Sequence, residues 1–304
     1  YAEEKEIIEL AKVIAPYNGI YASHMRNESN EIVDAVKETI NVGRQAGVRV
    51  DISHHKMLGK PNWGKQKETL RLIHEAREEG IQVICDQYPY TCNMTTLNAC
   101  IPPWYFENGF RSMTEKLKDP EFRKKLKAEM EDPETPYDNY YLNAGGWPGV
   151  YVYSSPKTPE AEGRFITEYA EEIGKDPWEA FFDLCVANNC ETGGVYSSMC
   201  DEDVCEIIQD PYCVVGSDGL TRSWKEKGHP RASGTFPHAI TYFVKEKKIM
   251  SLEEIIHKMT GQTAEYLVVK NKGLVREGYD ADLLIFDYDR LQDTATYSNS
   301  NSIT

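Results

Sequence analysis

No stretch of the chain approaches the ~18 uninterrupted apolar residues that a membrane helix needs, so no membrane partner is expected. Positive charge is in deficit. Lys and Arg number 34 against 49 Asp and Glu, a formal net charge of −15. So acidic a chain repels phosphate backbones, and nucleic acid is not an expected partner. Cysteine is sparse, 8 in 304 residues with no Cys-x-x-Cys pair, which excludes a disulfide scaffold. The opening residues Tyr1 to Glu6 are acidic and lack the apolar core of a secretory signal. The expectation is a soluble chain in a reducing, cytoplasmic setting. Internal repeats and low-complexity tracts are missing as well. With 40% hydrophobic and 27% charged residues the composition is globular, which excludes disorder, collagen and coiled coil as the main architecture.

What is present is an alternation of short β-branched runs and amphipathic helical stretches. Gly19 to Ser23 reads as a strand ending at His24, and Asn30 as the cap of a helix whose Ile32, Val33, Val36 and Ile40 recur at helical spacing. Gly47 stops that helix. Val48 to Ile52 is the next strand, ending at Ser53-His-His-Lys56, and Lys67 to Glu79 the next helix. Ile81 to Cys85 is a third strand, before Asp86-Gln-Tyr-Pro-Tyr90, and Cys213 to Gly216 a fourth, before Ser217-Asp-Gly219. Strands separated by helices predict parallel βα units. The residues with chemical potential cluster just after these strands, at the carboxyl edge where α/β folds place their sites.

Between about Pro89 and Asp210 the alternation is interrupted by charged helical stretches (114–130, 161–173 and 177–188) and an aromatic segment, Tyr137 to Tyr153. The reading is an insertion over the mouth of the sheet; packing against the outer helices is the alternative. Past Asp218, a helix is predicted from about Pro237 to Lys247, and Ser251-Leu-Glu-Glu254 is a capping-box start for another. Ala281 to Phe286 reads as a buried strand, and Asp287 to Thr304 as a polar tail.

His24 and His54 lie 30 residues apart, one βα unit, so they would sit on neighbouring strands facing one pocket. Neutral imidazoles so placed suit Zn²⁺ at ~2.0–2.1 Å and leave positions for a third ligand and water. The competing reading is a pair of hydrogen-bonded strand-end histidines without metal. Strand alternation turns His55 away toward a helix and returns Lys56 to the face of His54. Asp218 is a candidate acid/base or a turn aspartate. Tyr88 can donate to an oxyanion, or belong to a rigid Tyr-Pro-Tyr turn. The fork of Arg231 matches a carboxylate, as it would in a structural ion pair. Together Lys56 and Arg231 would form a positive island for an anionic small molecule.

Ordered along the chain stand Tyr21-Ala-Ser-His24-Met-Arg-Asn-Glu28, Ser53-His-His-Lys56 with Asn62-Trp-Gly64, Asp86-Gln-Tyr-Pro-Tyr90, Gly216-Ser-Asp-Gly219, His229-Pro-Arg231 with Gly234-Thr-Phe-Pro237, Lys258-Met-Thr-Gly261 and Gly278-Tyr-Asp-Ala-Asp-Leu-Leu-Ile-Phe-Asp287. This set resembles the N-acyl-D-amino-acid deacylases (D-aminoacylases) of the metal-dependent amidohydrolase superfamily, from about Ile20 to Tyr297 and least within the interruption. The resemblance implies an α/β fold, a (β/α)8 TIM-type barrel of which this chain would carry strands five to eight, with part of a C-terminal β segment. It divides the chain at 1–88 (strands five to seven), 89–210 (insertion or lid), 211–270 (last strand and helices) and 271–304 (start of the β segment). It implies zinc as cofactor with His24 and His54 as ligands, Asp218 as catalytic acid/base, and Lys56, Tyr88, Arg231 and Met199 as substrate contacts. The implied reaction is hydrolysis of N-acyl-D-amino acids to a carboxylate and a D-amino acid.

Departures accompany the likeness. The family's His-x-His motif on the first strand and its zinc-binding cysteine have no counterpart here, and Thr91-Cys-Asn-Met-Thr95 stands where a Ser-Thr pair is common. Two other readings follow. One is a cyclic-amide hydrolase of the dihydroorotase or hydantoinase type. The other is an inactive incomplete barrel that pairs with a copy of itself or with a missing N-terminal half.

Overall fold

The computed structural model describes residues 2–221 and 226–302. In chain order its helices and strands are α1 (Glu4–Lys12), β1 (Ile20–Ser23), α2 (Ile32–Ala46), β2 (Arg49–Ile52), α3 (Gln66–Glu78), β3 (Val83–Gln87) and β4 (Asn93–Thr96). Then come α4 (Gly109–Lys116), α5 (Pro120–Glu131), α6 (Tyr140–Asn143), β5 (Val150–Ser154), β6 (Arg164–Phe165), α7 (Ile166–Glu172), α8 (Pro177–Ala187) and β7 (Gly193–Tyr196). Last are α9 (Asp201–Gln209), β8 (Cys213–Val215), α10 (Arg231–Ala239), α11 (Leu252–Met259) and α12 (Gly261–Tyr266).

The four strands expected to be parallel form one parallel sheet in the order β1-β2-β3-β8. Alternation sorts their side chains. Val50, Ile52, Val83, Cys85, Cys213 and Val215 join the main core, with Ile32, Val36 and Ile40 of α2, Ile73 of α3 and Ile207 of α9. Burying such side chains contributes ~1.5–3 kcal/mol each. Helix α2 approaches β2 so closely that a Cβ on Gly43 would lie 2.2 Å from Val50 Cγ2. The opposite face carries Asp51, Ile84, Asp86 and Val214, with Tyr266 of α12 packed against Ile84 and Val214.

Several local expectations shift. Asn30 does not cap α2: Asn27 Oδ1 accepts from the Ser29 and Glu31 amides at 2.8 and 3.0 Å, while Asn30 Oδ1 accepts from Asn62. Strand β3 begins at Val83 rather than Ile81, because the Ile81 amide donates back to Ala76 O at 2.9 Å and closes the α3 terminus. Helix α10 starts at Arg231, ahead of the expected Pro237, which lies inside it; a π-helical turn, Ile240–Glu246, follows. The capping box at Ser251 is present, Ser251 Oγ accepting from the Glu254 amide at 3.2 Å.

The largest differences lie in the interruption and the tail. In the interruption the 177–188 stretch matches α8, but 114–130 breaks into α4 and α5, with Asp119 capping and Pro120 opening the second, and 161–173 is α-helical only as α7. A four-stranded antiparallel sheet, β4-β7-β5-β6, that periodicity did not reveal is also present. Its own core gathers Trp147, Trp178, Phe181, Phe182 and Tyr196. Ala281 to Phe286 is not a buried strand: Leu283, Leu284 and Ile285 are 66%, 84% and 97% exposed. No strand among the described residues pairs with this run. Of the tail expected to be polar, Ile303 and Thr304 lie outside the described residues.

Candidate metal and substrate site

Parallel register brings the two candidate histidines together. Ser23 pairs with Ile52, and Ile52 with Cys85, so the chain leaves β1, β2 and β3 at one level. His24 follows β1 directly, and His54 follows β2 by two residues in a left-handed conformation, φ 42°. That backbone is held: the His54 amide donates to Asp86 Oδ1 at 3.0 Å and the His55 amide to Asp86 O at 2.8 Å. Gly216 leaves room for this, since a Cβ there would lie 2.3 Å from Asp86 Oδ1. Non-glycine residues at positive φ persist where the surroundings over-determine them, and functional sites are common among such places.

His24 Nδ1 and His54 Nε2 are 3.0 Å apart, with the rings edge to face at 4.8 Å. Two nitrogens each ~2.0–2.1 Å from one tetrahedral ion lie roughly 3.4 Å apart, so this pair fits a shared zinc with little movement. His24, Glu28 and His54 form a cluster whose ligand-type atoms all lie within 4.8 Å of one another. His24 is held below its ordinary pKa: crowding by surrounding protein penalises the cation, and His54 and Lys56 add to that against the pull of Glu28. A neutral imidazole is the ligating form. His55 turns the other way, as expected, and its Nε2 meets Thr69 Oγ1 of α3 at 2.8 Å.

Behind His54 lies a buried charge cluster. Glu28 Oε1 accepts from Lys56 Nζ at 2.5 Å and lies 3.0 Å from His54 Nδ1. Lys56 Nζ itself is 2.8 Å from His54 Nδ1. Burial works to raise the Glu28 pKa, but Lys56 and then His54 outweigh it and hold the carboxyl well below the usual range. The Glu28 amide is anchored by Asp138 Oδ2 at 3.0 Å, from the segment between α5 and α6.

On the other side, Asp218 follows β8 with φ 44° and meets Arg231, Asp218 Oδ2 to Arg231 Nη2 at 2.7 Å. The Arg231 guanidinium lies 4.7 Å above the Tyr88 ring, and its amide donates to His229 Nδ1 at 3.0 Å. Tyr88 is buried; its hydroxyl lies 3.9 Å from Met199 Sδ, and burial raises its pKa, keeping the proton on for donation.

His24, His54, Lys56, Tyr88, Asp218 and Arg231 line one cavity of about 210 Å³, together with Glu28 and with Asn93, Met94, Thr95, Tyr140 and Leu220. Strand β4 thus supplies a wall of the pocket. Met199, expected as a substrate contact, is not among the lining residues; its Sδ lies 3.9 Å from the Tyr88 hydroxyl. A neighbouring cavity of about 340 Å³ runs along the second face of the parallel sheet, past Asp51 and Asp86. The expected positive island is corrected: Lys56 and Arg231 share the pocket, but each is paired with a carboxylate, Glu28 and Asp218. Sequence reasoning gave Glu28 no role. Its signal was the spacing His24-x-x-x-Glu28, which carries meaning only once the loop folds back on His54. It also missed Tyr140, whose place in the pocket depends on the fold of the interruption.

Residues 203–304 match the amidohydrolase family. The chain is 33% identical over 298 residues to the D-aminoacylase of Alcaligenes xylosoxydans xylosoxydans, covering 98% of this chain and 51% of that one. It is 31% identical over 296 residues to the N-acyl-D-glutamate deacylase of the same organism, covering 97% and 51%. Among solved structures, a D-aminoacylase superposes with a TM-score of 0.77 at 31% identity, covering 99% of this chain and 53% of that one. The N-acyl-D-glutamate deacylase of Bordetella bronchiseptica, complexed with zinc and a phosphonate mimic of the tetrahedral intermediate, gives 0.76 at 29%, with 98% and 53% covered. The chain spans about half the length of the relatives it matches.

Proposed function

The chain belongs to the D-aminoacylase family of the amidohydrolase superfamily, and on that premise we propose that it carries the zinc-binding and acid/base half of an N-acyl-D-amino-acid deacylase site. Its parallel sheet would be strands five to eight of a (β/α)8 barrel, with residues 1–88 and 211–270 supplying the barrel units. Residues 89–210 would cover the mouth and 271–304 begin a β segment. The observation that carries the reading is the 3.0 Å approach of His24 Nδ1 to His54 Nε2 in a pocket shared with Asp218 and Arg231.

His24 and His54 would hold the zinc, whose Lewis acidity polarises an amide carbonyl and acidifies water. Asp218 takes a proton from the attacking water and returns it to the departing nitrogen. The Tyr88 hydroxyl donates to the oxygen that gains charge. Arg231 and Lys56 hold the carboxylate of the amino acid, the substrate displacing part of their present pairing. Met199 sets the side of the pocket behind Tyr88.

The test is zinc content together with hydrolysis of N-acetyl-D-methionine and its L-enantiomer by the purified chain. Near one zinc per chain, lost in His24→Ala and in His54→Ala, with turnover of the D-substrate only, is the expected result. Zinc retained in a variant lacking both histidines would overturn it.

A further inference from the structure

We propose that Glu28 is the positioning residue of this site: its carboxylate holds His54 as the Nδ1–H tautomer, so that Nε2 turns a lone pair toward His24 Nδ1 and the metal. The consequence for zinc rests on the functional reading above; the tautomer itself does not.

The geometry around His54 has two sides. Nε2 faces His24 Nδ1 at 3.0 Å. Nδ1 faces Glu28 Oε1 at 3.0 Å and Lys56 Nζ at 2.8 Å. A neutral imidazole carries one hydrogen, and its place decides which nitrogen can ligate. If Nδ1 were bare, it would accept from Lys56 Nζ at 2.8 Å, but its lone pair would also lie 3.0 Å from the buried Glu28 Oε1 and repel it. With Nδ1–H, that oxygen accepts from both His54 and Lys56, and the ammonium balances its charge. The second arrangement gives the buried carboxylate two donors instead of one and replaces a lone-pair repulsion by a hydrogen bond.

Glu28 is suited to this work by its rigidity. The residue is 1% exposed, its Oε1 is tied to Lys56 at 2.5 Å, and its amide is tied to Asp138. It stands farther from His24 Nδ1, at 3.9 Å, so its hold is on one histidine of the pair. A carboxylate behind a ligating imidazole fixes ring orientation and raises ligand basicity, and removing such a partner typically weakens metal binding by about 10–100-fold.

The experiment is a long-range ¹H–¹⁵N spectrum of the histidine-labelled, metal-free chain, with His54→Gln used to assign the resonances. The expected result is His54 with Nδ1 protonated and Nε2 bare. Glu28→Gln keeps an acceptor oxygen and should keep that tautomer. Glu28→Met with Lys56→Met replaces the buried pair by apolar chains, avoids a lone buried charge, and should give mixed tautomers. Lys56→Met alone should leave the tautomer in place. Zinc affinity, read by competition with a chelator, should fall about 10–100-fold in the double variant and less in Glu28→Gln.

An Nε2–H tautomer in the unsubstituted chain would overturn the proposal, as would an unchanged tautomer in the double variant or its loss in Lys56→Met alone. The two readings fail separately. No zinc uptake with His54 still Nδ1–H counts against the zinc reading only. Zinc uptake with the opposite tautomer counts against Glu28 only.

Discussion

Asp218 and Arg231 close on each other as an ion pair, Oδ2 to Nη2 at 2.7 Å, while the same guanidinium lies 4.7 Å above the Tyr88 ring. The cation is thereby fixed in orientation. Arg231 Nε is buried without a hydrogen-bond partner among the described residues, so donor capacity remains after Asp218 is served.

Lysine cannot reproduce both the fork and the stack. Arg231→Lys is expected to raise KM for N-acetyl-D-methionine by about tenfold, equivalent to ~1.4 kcal/mol, with a smaller effect on kcat. Steady-state kinetics separate the two. Equal loss in kcat alone would argue against carboxylate binding.

Asp218→Asn removes the proton acceptor and keeps the shape. Asparagine tolerates a left-handed backbone, so φ 44° at this position should survive the change. The expected outcome is a fall in kcat of roughly 10²–10⁴-fold, with zinc content unaltered by metal analysis. Retained turnover would remove Asp218 from the acid/base role.

His55 is fully buried, and its pKa is lowered to about 3, chiefly by burial and then by the neighbouring charge of Lys56. Thr69 Oγ1 donates to Gln66 O at 3.1 Å, so the 2.8 Å contact needs His55 Nε2–H as donor. Between the ordinary value of 6.5 and about 3 the unfolded chain binds the extra proton, so stability falls as pH drops through that window. His55→Leu should flatten this acid limb in denaturant titrations at pH 4.5 and 7. It should leave zinc content untouched, because His55 faces α3.

Asp51 behaves oppositely. Burial, then the adjacent Asp86 carboxyl, pushes its pKa up to about 8, and Asp86 is raised as well. The folded chain therefore holds a proton that the unfolded chain releases above its ordinary value of 3.8, and stability falls as pH rises from about 4 to about 8. Asp51→Asn is expected to gain ~1–2 kcal/mol at pH 8 relative to pH 5, the scale of a buried polar group relieved of its penalty. Thermal melts across pH would show it. A variant whose stability tracks the unsubstituted chain at both pH values would refute the coupling.

The parallel strands and their terminal histidines were legible because their signals are local. A β-branched run, a helix with apolar positions at 3.6 spacing and a stopping glycine such as Gly47 each need only a dozen residues to be read. The antiparallel sheet was not. Its strands β4 to β7 are only two to five residues long, and although β5 is rich in strand formers, β7, the strand that joins β4 to β5, opens on Gly-Gly, which weakens its signal. The run Ala281 to Phe286 misled in the other direction: its apolarity is real, but burial needs a partner strand.

By itself the sequence determined the order of βα units, the chemical types at their carboxyl ends and, through ordered motifs, the family. These follow from periodicity and residue identity, which the unfolded chain already possesses. Only the tertiary structure decided that Glu28 stands behind His54, that Lys56 and Arg231 are each paired with a carboxylate, and that Asp51 and Asp86 share one buried face. Those relationships join residues up to 35 positions apart, and their energies depend on burial and on distances of a few ångströms, which packing alone creates.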